Sequence, residues 1–371
     1  MVHNLLNQNV AKSYVPYQML ENKQMLYDLL HTPDDFLKHI RRYSNALTTT
    51  MVFGWRTPTY ENASLKQLFE GFSEFAEINQ TGTAALIDFF PALRMLPDFV
   101  LPTQGRAKEL HKHEKALYLG HWLNAKQAVK DGTIKPCFCV GLRDAQEKEG
   151  FSDDQASYIT GTLLEAGSDT TSNTLYAFVL AMLLYPEAQK KAQEEIDRVV
   201  GDTRLPTMDD EPNLQFIRGE QVSVCSILNN VWSINMDPNR APDPRRFDPS
   251  RHKDDLLTLY DSAVDPDVSK RDQFTFGAGR RICPGMHVAE RSLFLGMSRF
   301  LWAFDLEPAT DSEGKTIIPD QDKLTQGFVC MPEEFPAKIT PRSPARAEVV
   351  EREWRVAEGE SLNSDTKQWL A

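Results

Sequence analysis

Ten consecutive residues, Phe276 to Gly285, constrain this chain more tightly than any other stretch. They read Phe-Gly-Ala-Gly-Arg-Arg-Ile-Cys-Pro-Gly. The cysteine lies just past a glycine-rich bend, at the head of an apolar repeat (Met286, Ala289, Leu293, Met297, Phe300) whose spacing predicts a helix. A sulfur at a helix N-terminus feels the positive end of the dipole and unpaired backbone N–H groups, and both stabilise its thiolate. Gly277 and Gly279 permit positive φ and let the backbone lie flat against something bulky. Arg280 and Arg281 carry permanently charged forks suited to carboxylates. Thiolate, flat cradle and carboxylate-binding arginines together describe a seat for haem, held through sulfur and anchored by its propionates. For a lone cysteine the plainer reading, a small buried hydrophobe, would prevail.

A second constellation, Ala166-Gly167-Ser168-Asp169-Thr170-Thr171, interrupts a long apolar segment from about Ala156 to Leu184. Asp, Ser and Thr compete with the backbone for hydrogen bonds inside a helix, and such local conflict often marks function. The same residues could instead start a helix as an N-cap cluster. A polar notch in an otherwise dry helix is what regulated proton delivery requires.

The first run matches Phe-x-x-Gly-x-Arg-x-Cys-x-Gly at Phe276, Gly279, Arg281, Cys283 and Gly285, and resembles the haem-binding signature of the cytochrome P450 superfamily. The second resembles that family's distal helix, and their order along the chain is the family's order. The resemblance implies a mainly α fold with small β-sheets and haem (iron-protoporphyrin IX) as cofactor. It implies Cys283 as axial iron ligand, Arg281 on a propionate and Phe276 near the sulfur. It further implies that Gly167 leaves room for dioxygen, while Thr170 and Asp169 direct protons for O–O cleavage. The activity implied is monooxygenation of a hydrophobic small molecule, with electrons from NADPH through NADPH-cytochrome P450 reductase. Leu163, Ala166 and Phe328 are the candidate substrate-lining residues. Leu163 to Ser172, taken with Asn229 to Ser233, resembles fungal microsomal members of secondary metabolism, in particular the O-methylsterigmatocystin oxidoreductase group.

Other segments fall into line. Tyr185 to Gly201 reads as a helix with Pro186 in its first turn and a glycine stop. Asn229 to Pro238 and Pro244 to Arg251 resemble the family's connection into its meander, with Arg251 as the meander arginine. The family's Glu-x-x-Arg helix, which should follow Phe216 to Glu220, is replaced by Gln221 to Ile227 running into Asn229, so an internal block is missing near 220–229. Glu195-Ile196-Asp197-Arg198 spells the motif on the preceding helix and is a decoy. An Arg251 buried without partners would cost about 3–5 kcal/mol relative to an intact pair. The expected organisation is an incomplete, truncated cytochrome P450 domain over 1–341 and a charged, fraying tail over 342–371. The alternative reading is a catalytically inactive remnant, a mis-spliced product or a decayed gene.

Composition bounds the partners. With 371 residues, 41% of them hydrophobic, the chain can bury a large core. A net charge of −12 argues against nucleic acid. Basic residues nevertheless gather before the cysteine (Arg245, Arg246, Arg251, Lys253, Lys270, Arg271, Arg280, Arg281), where the resemblance places a reductase. Five scattered cysteines fit a reducing compartment, and Cys137-Phe138-Cys139 is too closely spaced for a zinc pair. His111, His113 and His121 read as a solvated helix face. Full-length relatives sit in the endoplasmic reticulum membrane. No apolar run here reaches a spanning length, so a cytoplasmic or peripheral location is expected. Weak membrane contact is left to the proline-broken apolar run Phe89 to Pro102.

Overall fold

A computed structural model of the chain describes residues 6–79, 83–225, 232–239, 242–252, 257–267, 271, 274–277, 279–326 and 329–370, apart from the side chains at 83–85, 222–225, 232, 233 and 281. In chain order the helices are α1 (Gln8–Ser13), α2 (Val15–His31), α3 (Phe36–Phe53), α4 (Ala63–Ile78), α5 (Thr83–Phe89), α6 (Pro102–Lys130) and α7 (Phe138–Glu149). There follow α8 (Asp153–Leu184), α9 (Pro186–Val199), α10 (Gln215–Cys225), α11 (Trp232–Asn235), α12 (Leu259–Val264), α13 (Met286–Ala303) and α14 (Pro344–Ser361). Among the described residues one sheet forms, antiparallel β1 (Phe304–Pro308) against β2 (Ala337–Pro341), with Leu306 opposite Ile339. The mainly helical architecture follows from long 3.6-residue apolar repeats and a scarcity of alternating segments.

Two compact units divide the chain. The first comprises Met1–Tyr43, Thr171–Lys323 and Met331–Leu370; the second comprises Ser44–Thr170 and Leu324–Cys330. The core of the first is built on α13, whose apolar residues Leu293, Phe294, Met297, Phe300 and Leu301 are buried with Leu175 to Leu183 of α8. Gly296 makes that contact possible, because a Cβ there would stand 2.8 Å from Leu175 Cδ2. Arg42 and Arg299 are buried in this unit and are held by hydrogen bonds. Arg42 donates to Glu21 Oε2 at 2.6 Å and to Glu21 O at 2.9 Å. Arg299 donates to Pro206 O at 2.7 Å and to Asn22 Oδ1 at 3.2 Å, and burial brings its pKa down to about 10. In the second unit Leu65, Leu68 and Phe69 of α4, Leu110, Leu117 and Trp122 of α6, and Phe138 and Leu142 of α7 are buried.

Residues 342–370 do not fray. Ser343 caps α14 by accepting from Arg346 N at 3.2 Å, and Trp354, Ala357 and Leu362 form a buried cluster with Leu20 of α2. Lys23–Glu353 at 2.7 Å and a bidentate Arg342–Asp197 pair hold its two ends. The charge density that suggested a free tail belongs to the outer face of an amphipathic helix, and the inner face supplies the burial. His121 departs from expectation too. It stacks on Phe53 and Trp55, and burial lowers its pKa to about 4, so it is a neutral packed ring. His111 and His113 are exposed, as the lysines and glutamates around them imply.

Candidate functional site

In the first unit the Phe276–Gly285 run forms a closed loop delivering its cysteine to the start of α13. Gly277 and Gly279 both adopt positive φ, 76° and 64°, and a Cβ on Gly279 would meet nothing within 4 Å. The loop is tied by the Cys283 N–H, which donates to Phe276 O at 2.8 Å. Phe276, Ile282 and Cys283 pack together on a small cluster of Leu259, Ala263 and Met286. Gly285 is the N-cap of α13 and supplies no side-chain cap, so the first N–H groups of the helix are open to another acceptor. Those of Gly285 and Met286 direct hydrogen bonds at the Cys283 sulfur and pull its pKa down. Burial outweighs them and the net shift is upward, so a thiolate here needs a cation against it. One soft sulfur with two backbone donors, beside a glycine cradle open where a side chain would stand, fits a sulfur-held haem. Arg281 closes the same turn, but its side chain is outside the described residues. The neighbouring Arg280 is exposed.

In the second unit Ala166 to Thr170 lie mid-helix in α8, which excludes the N-cap reading. The helix starts earlier at a reciprocal cap: Gln155 N donates to Ser152 Oγ at 3.2 Å and Ser152 N to Gln155 Oε1 at 3.0 Å. Asp153 then accepts from Trp122, Lys126 and Gln146, which together lower its pKa to about 2. The notch is gripped by α3. Ser44 Oγ donates to Ser168 O at 2.7 Å and Asn45 Nδ2 to Ser168 Oγ at 3.1 Å. A Cβ on Gly167 would stand 2.6 Å from Thr48 Oγ1. With Gly167 and Ser168 turned to α3, the helix leaves Ala166 and Thr170 exposed and Leu163 and Asp169 half-buried. Thr170 Oγ1 donates to Ala166 O at 2.7 Å. Phe328 lies outside the described residues.

The sequence profile of the family Cytochrome P450 matches residues 5–219 and 225–339. The chain belongs to the cytochrome P450 family. It is 45% identical over 399 aligned positions to cytochrome P450 monooxygenase virE of Hypocrea virens, a match covering 100% of this chain and 72% of that protein. It is 43% identical to cytochrome P450 monooxygenase fogE of Aspergillus ruber, over 95% of this chain and 71% of that one. A zebra fish cytochrome P450 structure, 20% identical, superposes with a TM-score of 0.66 over 92% of this chain and 80% of its own, which shows the fold. The chain is therefore a haem-dependent monooxygenase by family. Cytochromes P450 use haem with a sulfur ligand, and electrons typically reach them from NADPH through a partner reductase.

Several residues near the family's Glu-x-x-Arg region were not foreseen. Glu195 acts chiefly as a cap: its carboxylate accepts from Phe216 N and Ile217 N at 3.0–3.2 Å at the start of α10, and its pairing with the exposed Arg198 is long, at 4.0 Å. Only the Gln215–Cys225 helix start, twenty residues on, would have disclosed this. The stretch expected to have lost its helix is helical through Cys225. Within it Glu220 is fully buried, and neither carboxylate oxygen has a hydrogen-bond partner among the described residues. Burial, then the charge of Glu195, raise its pKa well above the carboxylate range. Arg251, in contrast, is exposed and donates to Pro242 O at 3.1 Å and to Asp243 O, so no uncompensated buried charge arises there.

Proposed function

We propose that this chain inserts one atom of dioxygen into a hydrophobic small molecule of fungal secondary metabolism, with Cys283 as the ligand that holds haem. The observation that carries this reading is the sulfur at the α13 N-terminus, supplied with two backbone N–H donors on a loop whose glycines take positive φ. Haem would supply dioxygen binding and O–O cleavage. The chain's own residues would do the rest. The Gly285 and Met286 N–H groups spread the sulfur's charge, and Phe276 shields it from water. Gly279 and Gly285 keep backbone close without side-chain obstruction, and Arg281 would pair with a propionate. Thr170, its hydroxyl held on the Ala166 carbonyl, would present its oxygen as a hydrogen-bond acceptor, and Asp169 one residue before would relay protons. Leu163 and Ala166, on the open side of α8, would meet an apolar substrate, with Phe328 as a third lining residue.

Partner and location follow from surface chemistry. Arg280 is exposed, while Arg245 and Arg246 are engaged with Asp322 and Glu187 on the surface, so the patch offered to an acidic reductase is partly neutralised. Lys253 and Lys270 lie outside the described residues. No helix among the described residues is long and apolar enough to cross a membrane. Phe89, Phe90, Met95 and Phe99 are 61–88% exposed around the Pro91–Met95 turn, and such a patch supports weak, reversible contact with the endoplasmic reticulum surface.

A second reading, an inactive remnant of such an enzyme, is favoured by Glu220. The family profile breaks over 220–224 at this carboxylate, and the alignment with the Hypocrea relative is longer than the chain. An absent internal block would leave such an orphan. The test is to load the chain with haem, supply NADPH and a fungal reductase, and measure hydrogen peroxide released per NADPH consumed. Thr170→Ala should raise that ratio severalfold. No NADPH consumption by a haem-loaded chain supports the remnant; consumption with a ratio indifferent to Thr170→Ala removes Thr170 from its role.

A further inference from the structure

In the second unit Tyr118 packs α6 closely against the middle of α8, beyond the polar contacts at the start of α8. A Cβ on Gly161 would stand 2.4–2.8 Å from three ring carbons of Tyr118, so the ring lies in the space that only glycine leaves. From there the phenol reaches along the helix and donates a hydrogen bond to Glu165 Oε1. Glu165 directly precedes Ala166. The segment is thus held on one side by α3 through Gly167 and Ser168, and on another by α6 through Gly161 and Glu165.

The tyrosine clamp sits among uncompensated acids. Glu114, one turn before Tyr118 on α6, lines a cavity with Gln67, Gly71 and Glu74 of α4, and His113. Neither Glu114 nor Glu165 has an ion-pair partner among the described residues. The nearby cations are committed elsewhere: Lys115 to Asp154 at 2.6 Å, and Arg106 to Glu77 at 2.7 Å and Glu74 at 3.4 Å. His111 faces the Tyr158 hydroxyl at 3.1 Å.

We propose that Tyr118 and Glu165 are positioning residues for the monooxygenase reaction: their bond clamps α8 to α6 and fixes how Leu163, Ala166 and Thr170 are presented, and a charge on Glu114 loosens it. The role rests on the open side of α8 being the reactive side, as argued above. Burial, then the charges of Glu165 and Glu74, bring the Glu114 pKa up to about 7. Burial also raises Glu165, against the opposing effect of the Tyr118 bond. The sign follows. Below neutral pH Glu114 is protonated and the clamp is intact. As pH rises through the raised value, a second carboxylate charges beside Glu165 and the clamp weakens.

Hydrogen–deuterium exchange of the full chain tests this without depending on turnover. Tyr118→Phe keeps the ring but removes the donor, and should speed exchange of amides 162–170 by about tenfold or more, the effect of one net hydrogen bond to a carboxylate, with 175–184 unchanged. Exchange at 162–170, corrected for the intrinsic rate, should rise between pH 6 and 8 in the wild type, and Glu114→Gln should flatten that rise. Glu165→Gln, which keeps an acceptor oxygen, should retain most protection, whereas Glu165→Ala should match Tyr118→Phe. Unchanged exchange in Tyr118→Phe, or a pH response that persists in Glu114→Gln, overturns the proposal. Failure of the reactive-side assignment shows separately, in the Thr170→Ala peroxide ratio.

Discussion

Gly167→Ala isolates the close approach of α8 to α3. In an unobstructed helix interior the exchange should stabilise by about 1 kcal/mol, because alanine loses less backbone freedom than glycine. Here the added methyl would lie 2.6 Å from Thr48 Oγ1, 2.9 Å from Cγ2 and 3.4 Å from Cβ. The first two separations lie inside contact distance, and Thr48 is itself fixed because its hydroxyl donates to Ser44 O at 2.8 Å. Overpacking of this kind costs about 1–3 kcal/mol, so the net change should run from near zero to about 2 kcal/mol of destabilisation. Thr48→Ala deletes the two offending atoms and keeps the Cβ at ordinary contact distance. It sacrifices one hydrogen bond of about 1 kcal/mol. In that background Gly167→Ala should recover its propensity gain, giving a favourable coupling of about 1–3 kcal/mol. Urea unfolding of the four proteins measures this. If Gly167→Ala stabilises equally in both backgrounds, the two helices are not in contact at this point and the account of the notch is wrong.

Glu220→Gln should stabilise the chain at neutral pH. The buried carboxyl has a folded pKa raised above its unfolded value of about 4.3, so its favourable contribution is complete below that value and is lost as pH rises through the folded one. Urea midpoints from pH 4.5 to 8 should fall less steeply for the variant; parallel curves would refute the burial. Trp354→Ala should cost about 3–5 kcal/mol, the range for emptying a buried aromatic site, whereas a fraying tail would show no change in unfolding midpoint.

What the sequence disclosed was local. The positive φ of Gly277 and Gly279, the α13 helix beginning just after Cys283, and the polar notch within α8 are all written in neighbouring residues. The features that escaped are tertiary. Glu195 was legible as a decoy from its place on the preceding helix, but nothing local shows that it caps a helix starting twenty residues later. His121 looked solvated because its sequence neighbours are charged, but its ring meets Phe53 and Trp55. The tail looked free because its charge outweighed the periodicity visible over Ala345 to Val356, whose stripe of Val349, Val350, Trp354 and Ala357 is buried. The Tyr118–Glu165 contact depends on Gly161, whose function is visible only once α6 lies beside it.

The most direct test of the central claim is optical. The full chain is loaded with haem, reduced and exposed to carbon monoxide, beside Cys283→Ala prepared in the same way. The account predicts the strongly red-shifted Soret band of a sulfur-ligated haem in the wild type and its disappearance in the variant, with the four other cysteines unable to replace it. A red-shifted band that survives Cys283→Ala, or a haem-loaded wild type that never shows one, would contradict the assignment of Cys283 as the ligand.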